Sequence, residues 1–266
     1  MRLSEWLPVA SSRLQAAGVS AHKIESQVLA GHAMLVDRTW VLTHPEHEVN
    51  ELALEGLLQR RENGEPLAYI LGYREFYGRR FRVDSNVLIP RHETEILVEA
   101  ALEVEKENCR VLDIGTGSGC IAVTLKLERP DWEVWATDIS SSALQVAREN
   151  AETLGADITF RHSDLLDQLD GEAFDLIVSN PPYIGRDEAL PREVKEFEPS
   201  SALFADNSGL ALYEQLANHA PKHLRPGGQV ILEIGQDQGQ AVSALFPGSK
   251  VIKDLDGNDR VVTFCT

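Results

Sequence analysis

The chain has few of the residues that mark secreted, metal-binding or membrane proteins. Among its 266 residues are only three cysteines, Cys109, Cys120 and Cys265, which lie far apart. An odd number of widely spaced cysteines forms neither a disulfide framework nor the paired spacing of a metal site. The N-terminal stretch lacks the apolar core of a secretion signal, and no apolar run approaches the roughly 18 residues of a membrane span. We therefore expect a protein of the reducing cytoplasm, without metal or membrane attachment.

Basic residues are also scarce relative to acidic ones. The chain has 25 Lys and Arg against 42 Asp and Glu, for a formal net charge of -17. Such a surface repels phosphate backbones unless its basic residues are strongly clustered. The densest basic cluster, between Arg74 and Arg82, is short, and an ordinary solvated face accounts for it. The charge argues against direct nucleic-acid binding.

The spacing of hydrophobic residues divides the chain into three parts. Residues 1–72 contain four segments of helical periodicity, the first beginning near Ser4 and the last at Asn50, and they predict a small all-helical domain. Residues 73–90 are rich in aromatic and β-branched residues and predict a β-hairpin linker. Residues 91–266 form the third part, in which strand and helix patterns alternate.

This alternation is typical of an α/β fold with a mostly parallel, doubly wound sheet. Right-handed crossovers in such a sheet place ligands at the carboxyl ends of the strands. Three motifs fall at strand ends: "DIGTGSG", "TD" and "NPPY". The predicted strands read "RVLDIG", "EVWATD", "DITFRH", "FDLIVSN" and "GQVILEIG".

The first motif is a glycine-rich loop between a strand and a helix. It consists of Gly115, Thr116, Gly117, Ser118 and Gly119. Glycines at such a place let the backbone turn sharply and approach a ligand closely. A purely structural tight turn is the alternative. The dinucleotide fingerprint G-x-G-x-x-G would need glycine where the chain has Cys120, which disfavours a nicotinamide oxidoreductase.

Two acidic residues follow the next two strands. Asp138 lies roughly 20 residues past the glycine loop, where an acid typically accepts the ribose hydroxyls of a nucleoside. Asp164, next to Leu165 in "HSDLL", can accept the exocyclic amine of an adenine. Helix capping is the alternative for both acids, although Ser140 can cap the helix after Asp138 instead. Together with the loop, they predict an adenosine pocket.

Longer stretches of the chain resemble a known family. "DIGTGSG" followed by "NPPY" resembles class I S-adenosylmethionine methyltransferases that act on an amide or amino nitrogen. "REFYG", "LIPRHETE" and "FEPSSALFA" are similar to the release factor glutamine methyltransferases, the HemK family. The resemblance spans essentially the whole chain. It implies a Rossmann-like domain with a mostly parallel seven-stranded sheet over 91–266 and a five-helix substrate-recognition domain over 1–72.

The resemblance also implies roles for residues around the fourth strand. The corner Asn180, Pro181, Pro182 and Tyr183 is expected to be catalytic and to hold the planar NH2 of the substrate, and Asn180 is also expected to contact the cofactor. The Asn180 side-chain oxygen and the Pro181 carbonyl can accept its two N–H bonds, and the two prolines stiffen the turn.

Arg91 and Glu93 of "PRHETE" are expected to contact the substrate. The chain departs from the family between them, because it has His92 where the family usually has proline.

The resemblance implies methyl transfer from S-adenosylmethionine to the glutamine side-chain nitrogen (N5) in the Gly-Gly-Gln loop of peptide chain release factors, which are the expected partners. Two alternatives stay open. An N6-adenine methyltransferase of DNA shares the "NPPY" motif but would need a basic groove, against the net charge of -17. A non-catalytic S-adenosylmethionine-binding module would not need the complete corner from Asn180 to Tyr183.

Overall fold

The computed structural model describes residues 1–266 and divides them into two compact units. The first unit contains residues 1–73 together with residues 190–197, and the second contains residues 74–189 and 198–266. The sequence patterns did not assign residues 190–197 to the first unit.

The eleven α-helices are α1 Leu3–Ala16, α2 His22–Met34, α3 Arg38–Thr43, α4 Glu51–Glu62, α5 Leu67–Leu71, α6 Thr94–Leu102, α7 Cys120–Glu128, α8 Ser141–Leu154, α9 Arg192–Phe197, α10 Ala211–His219 and α11 Gly239–Leu245. The eleven strands are β1 Tyr73–Phe76, β2 Arg79–Arg82, β3 Arg110–Ile114, β4 Glu133–Asp138, β5 Ile158–His162, β6 Phe174–Ser179, β7 Ile184–Gly185, β8 Phe204–Ala205, β9 Leu224–Glu233, β10 Lys250–Lys253 and β11 Asp259–Cys265.

The first unit is helical, and its α4 begins at the expected cap. Asn50 caps α4 by accepting a hydrogen bond from the Leu52 N–H at 3.1 Å. The short α5 did not emerge from the periodicity, but Pro66 before it and Gly72 after it are typical boundary residues. A buried ion pair holds the unit together, because Arg61 of α4 contacts Glu25 of α2 at 2.6 Å.

The second unit is built on a seven-stranded sheet in the order β10-β11-β9-β6-β3-β4-β5. β9, β6, β3, β4 and β5 are parallel, whereas β11 pairs antiparallel with both β9 and β10. This confirms the predicted mostly parallel sheet. The antiparallel pair β10 and β11 was not recognised from its pattern, although the Asp256-Gly257 dipeptide between the strands is a hairpin signal.

Successive buried residues of the central strands point to opposite faces of the sheet. Val111 belongs to the core cluster that contains residues of α6 and α7, and Leu112 belongs to the cluster that contains residues of α10 and α11. The sheet is thus covered on both faces, as the run of hydrophobic residues in its strands predicts. No helix is both long enough and apolar enough to span a lipid bilayer.

The chain reverses its direction of strand addition at β3. It adds β4 and β5 on one side of β3 and then returns to β6 on the other side. The carboxyl ends of β3 and β6 flank this switch point, where open α/β sheets bind their ligands. The glycine loop follows β3, and the Asn180 corner follows β6.

Candidate active site

A cavity of about 350 Å³ lies at the carboxyl ends of the parallel strands, within the second unit. It is bounded by the loops after β3, β4, β5 and β6, as the sequence motifs predict. Phe204 and Ala205 of β8 add an apolar wall to it. The sequence-predicted site residues that line the cavity are Arg91, Gly115, Thr116, Gly117, Ser118, Asp138, Asp164, Leu165, Asn180 and Pro182.

Four other predicted site residues lie outside the lining. Gly119 ends the loop against Ala147 of α8 and must be glycine, because its φ is +81° and a Cβ added to it would lie only 3.1 Å from the Ala147 Cβ. Pro181 is buried behind the corner, and Tyr183 is half-buried against the core that contains α10. Glu93 is exposed at the start of α6.

Asp138 links the glycine loop to the next helix. Its Oδ2 accepts a hydrogen bond from the Gly117 N–H at 2.9 Å, and its Oδ1 accepts one from the Ser140 N–H at 2.8 Å. Ser140 caps α8 through the Ala143 N–H at 3.1 Å, so the helix does not need Asp138 as its cap. Burial raises the pKa of the Asp138 carboxyl. Each carboxylate oxygen keeps further acceptor capacity toward the cavity.

Asp113, the acid just before the glycine loop, was not singled out as a site residue by the sequence analysis. Its Oδ2 accepts hydrogen bonds from the Thr116 hydroxyl at 2.6 Å and from the Ala122 N–H at 3.3 Å. Burial raises the pKa of this carboxyl to about 7. Asp113 therefore ties the loop to the first turn of α7. Its place inside the motif "DIGTGSG" was the sequence feature from which its role could have been predicted.

Asp164 is exposed at the rim of the cavity. No helix begins after it, so a capping role does not explain its position. The neighbouring Ile139 side chain, 56% exposed, offers an apolar surface along the same cavity. A carboxylate beside an apolar surface suits the edge and the face of a planar heterocycle.

The Asn180 corner has two oxygens without a partner in the protein. The Asn180 Nδ2 donates to the Thr94 hydroxyl at 3.2 Å, which leaves the Oδ1 unbonded. The Pro181 carbonyl oxygen also accepts no hydrogen bond from the chain. Just before the corner, the Ser179 hydroxyl donates to the Ile114 carbonyl at 2.7 Å and joins β6 to β3. The corner can therefore offer two acceptors to one NH2 group.

Residues remote in sequence brace the far end of this corner. The Gln238 Nε2 donates to the Tyr183 carbonyl at 3.0 Å, and the Gln238 Oε1 accepts from the Gly235 N–H at 3.0 Å. A Cβ added at Gly209, which has a φ of +86°, would collide with the Tyr183 carbonyl. No local pattern marks Gln238 or Gly209, so sequence reasoning missed both.

Arg91 connects two of the quoted family stretches. Its Nη2 contacts the Glu198 Oε1 at 2.6 Å, and the Glu198 Oε2 accepts from the Ile89 N–H at 3.1 Å. The Glu198 side chain is 1% exposed and the Arg91 side chain 33%, so the carboxylate end of this pair is shielded from solvent. The pair fixes "FEPSSALFA" against "LIPRHETE" over the cavity.

His92, which stands where the family usually has proline, lies between Arg91 and Glu93. Its side chain is 70% exposed, and α6 begins normally after it.

The geometry agrees with comparisons to known proteins. Residues 92–198 match the Methyltransferase small domain family, and residues 5–72 match the PrmC N-terminal domain family. The chain is 43% identical to the release factor glutamine methyltransferase of Koribacter versatilis, over 98% of each chain. It is 47% identical to that of Neisseria gonorrhoeae, over 98% of this chain and 96% of the relative.

The chain belongs to the release factor glutamine methyltransferase family. A methyltransferase structure from Pyrococcus furiosus, 18% identical, has the same fold, with a TM-score of 0.55 over 79% of this chain and 98% of the other. Membership in this family makes the chain an S-adenosylmethionine-dependent enzyme.

The residues of this methyltransferase fit its cofactor. A Cβ placed on Gly115 or Gly117 would meet no atom within 4 Å, so the loop backbone faces open space that a ligand can fill. Asp138 would hold the ribose hydroxyls, Asp164 the adenine amine, and the glycine loop would pass close to the rest of the molecule. Asn180 then lies at the boundary between this part of the cavity and the corner that would hold the substrate.

Proposed function

We propose that this enzyme transfers a methyl group from S-adenosylmethionine to the side-chain amide nitrogen (N5) of the glutamine in a Gly-Gly-Gln loop of peptide chain release factors. The observation that carries the proposal is the corner at Asn180. It offers two unbonded oxygens, the Asn180 Oδ1 and the Pro181 carbonyl, beside a cavity with acceptors suited to adenosine. Such a pair matches the two N–H bonds of a primary amide.

The chemistry requires positioning above all. An amide nitrogen is a poor nucleophile because its lone pair is delocalised into the carbonyl group. Two acceptors that hold both N–H bonds orient the nitrogen and favour a more tetrahedral geometry with a localised lone pair. S-adenosylmethionine supplies a methyl group that its sulfonium charge has already activated. The Gln238 and Gly209 contacts keep the corner rigid, so its acceptors need little reorganisation during the reaction.

The choice between protein and DNA as substrate can be tested directly. Labelled S-adenosylmethionine is incubated with the enzyme, a release factor and duplex DNA in one mixture. We expect the label on the release factor, at a glutamine that mass spectrometry identifies. With a net charge of -17, we also expect none of the steep salt-dependent DNA binding of an enzyme that neutralises several phosphates. Label on DNA alone would refute the proposal. Because release factors act in translation, a cytoplasmic location is part of the proposal.

The helical unit is proposed to grip the release factor away from the reacting glutamine. Nine large hydrophobic side chains are exposed in the chain, and six of them lie in residues 1–73. Exposed apolar side chains concentrated on one small unit favour contact with a macromolecule. Leu35 and Leu52 are the most exposed of the six, at 92% and 87%. Remote contacts of this kind position a substrate and raise its rate of reaction.

Charged substitutions test this role. We expect Leu35→Glu and Leu52→Glu to lower kcat/KM for an intact release factor by about 10-fold when combined, because they oppose apolar burial. Methylation of a short Gly-Gly-Gln peptide, which cannot reach the helical unit, should stay unchanged. Leu255→Glu, at the fully exposed Leu255 of the second unit, is the matched control. Equal losses for protein and peptide would contradict the proposed role.

A further inference from the structure

A buried carboxyl group lies directly behind the Asn180 corner. Glu233 is the last residue of β9, and β9 pairs with β6 so that Leu232 faces Ser179. Glu233 is therefore next to Asn180 across the sheet. Its side chain is 2% exposed and its Oε2 has no hydrogen-bond partner. Burying a carboxyl group in this way is costly and calls for an explanation.

Thr94 connects Glu233 to Asn180. Its hydroxyl interacts with the Glu233 carboxyl and also accepts the hydrogen bond from the Asn180 Nδ2 at 3.2 Å. Thr94 is itself 2% exposed, so water does not compete for these bonds. The three side chains thus form a short chain of polar contacts from the protein interior to the edge of the cavity.

The ionisation state of Glu233 determines which groups donate and which accept hydrogen bonds along this chain. A carboxylate only accepts hydrogen bonds, so the Thr94 hydroxyl must donate its proton to it. The Thr94 oxygen is then left to accept, and the Asn180 group that can donate to it is the NH2 of Nδ2. The Asn180 Oδ1 must consequently face away from Thr94. A protonated Glu233 can donate to Thr94, which allows Thr94 to donate to Oδ1 and turns the Asn180 NH2 outward.

We propose that Glu233 is a positioning residue that, through the Thr94 hydroxyl, holds Asn180 with its amide oxygen toward the substrate nitrogen. This inference rests on the proposed function. An Asn180 turned the other way presents N–H donors to a substrate NH2 group, which cannot accept them. Asn180 could reach the same position without Glu233, but its two orientations would then be similar in energy.

The electrostatic surroundings make this orientation sensitive to pH. Burial raises the pKa of Glu233 to about 7, against the opposing effect of Thr94. Turnover should therefore rise as the pH increases through about 7, where Glu233 loses its proton. The titratable and charged groups that face Glu233 are Glu93, which raises its pKa, Arg260 and Arg91, which lower it, and Cys120, Tyr183 and Tyr213, whose own pKa values lie above their usual ranges.

The test compares Thr94→Val with Thr94→Ser in the full-length enzyme, with a release factor as substrate. Valine has the shape of threonine without the hydroxyl, so kcat should fall by about 10-fold or more as Asn180 loses its fixed orientation. Serine restores the hydroxyl and should recover most of the lost turnover. The KM for S-adenosylmethionine should change little in either variant. Thr124→Val, at a buried threonine of α7 outside the cavity lining, is the control for the substitution itself.

The pH dependence of kcat in Glu233→Gln is a second measurement, and a merely structural role of Glu233 would leave it unchanged. Glutamine keeps the size of the side chain but does not titrate, so the loss of turnover below pH 7 should disappear from the kcat profile. A wild-type enzyme that labels no release factor would overturn the proposed function itself. With an active wild type, three results would overturn only this inference: an undiminished kcat in Thr94→Val, an effect on the KM for S-adenosylmethionine alone, or an unchanged pH profile in Glu233→Gln.

Discussion

Replacement of Asn180 by alanine is expected to lower turnover at saturating substrates by roughly 10²- to 10³-fold. The substitution removes the Oδ1, one of the two acceptors that would orient the amide nitrogen, and the Pro181 carbonyl alone leaves that nitrogen free to rotate. This loss corresponds to about 2.7–4 kcal/mol of transition-state stabilisation, the range found for single preorganised groups at a reacting centre. Binding of S-adenosylmethionine should fall much less than turnover.

Single-turnover kinetics with a release factor and calorimetry with S-adenosylmethionine measure the two effects separately. Asn218→Ala, which removes an exposed asparagine of α10, is the matched control and should match the wild type in both assays. A folded Asn180→Ala enzyme with near wild-type turnover would exclude the proposed role of the corner. A loss confined to cofactor affinity would instead place Asn180 in the cofactor site alone.

Replacement of Asp138 by alanine is expected to weaken S-adenosylmethionine binding by about 10- to 150-fold. Hydrogen bonds to a charged acceptor contribute on the order of 1.5–3 kcal/mol, which gives this range. The effect should lie at its upper end, because the carboxylate also accepts from the Gly117 and Ser140 N–H groups at 2.9 and 2.8 Å. Alanine therefore removes the ribose contacts and also releases the glycine loop from Asp138.

An asparagine variant separates these two contributions. Asp138→Asn keeps one oxygen acceptor and most of the side-chain shape, so it should bind S-adenosylmethionine more tightly than Asp138→Ala but less tightly than the wild type. Asp157→Asn, at an exposed residue before β5, controls for the loss of one negative charge. Calorimetry that finds unchanged affinity in a folded Asp138→Ala protein would disprove the ribose assignment.

Local sequence patterns identified the parts of the site that lie next to one another in the chain. The loop from Gly115 to Gly119 was recognisable because a tight turn between a strand and a helix selects glycine, and all three glycines of the loop have positive φ. The prolines of the Asn180 corner were recognisable because they cannot continue a sheet. The helix boundaries were predicted less accurately, since Ser4 is the expected cap of the first helix but α1 already begins at Leu3.

Patterns failed where a residue acts through a distant neighbour. The edge strand β10 has no buried residue, and the adjacent β11 is buried only at Val261 and Val262, so the periodicity of both strands is weak despite the hairpin signal between them. Residues 190–197 join the helical unit through contacts such as the ion pair between Arg61 and Glu193 at 2.9 Å. No pattern in the surrounding sequence predicts this contact. Gly209 resembles any turn glycine until the Tyr183 carbonyl is seen beside it.

By itself, the sequence determined the α/β class of the second unit, the helical first unit, and the residue types that meet at the ends of the parallel strands. These properties follow from backbone sterics and hydrophobic periodicity, which act over a few residues at a time. The tertiary structure alone decided that Thr94 lies between the Glu233 carboxyl and the Asn180 amide and contacts both. Their contact depends on β9 lying beside β6, and strand order arises from how crossovers pack across the whole sheet rather than from any local preference.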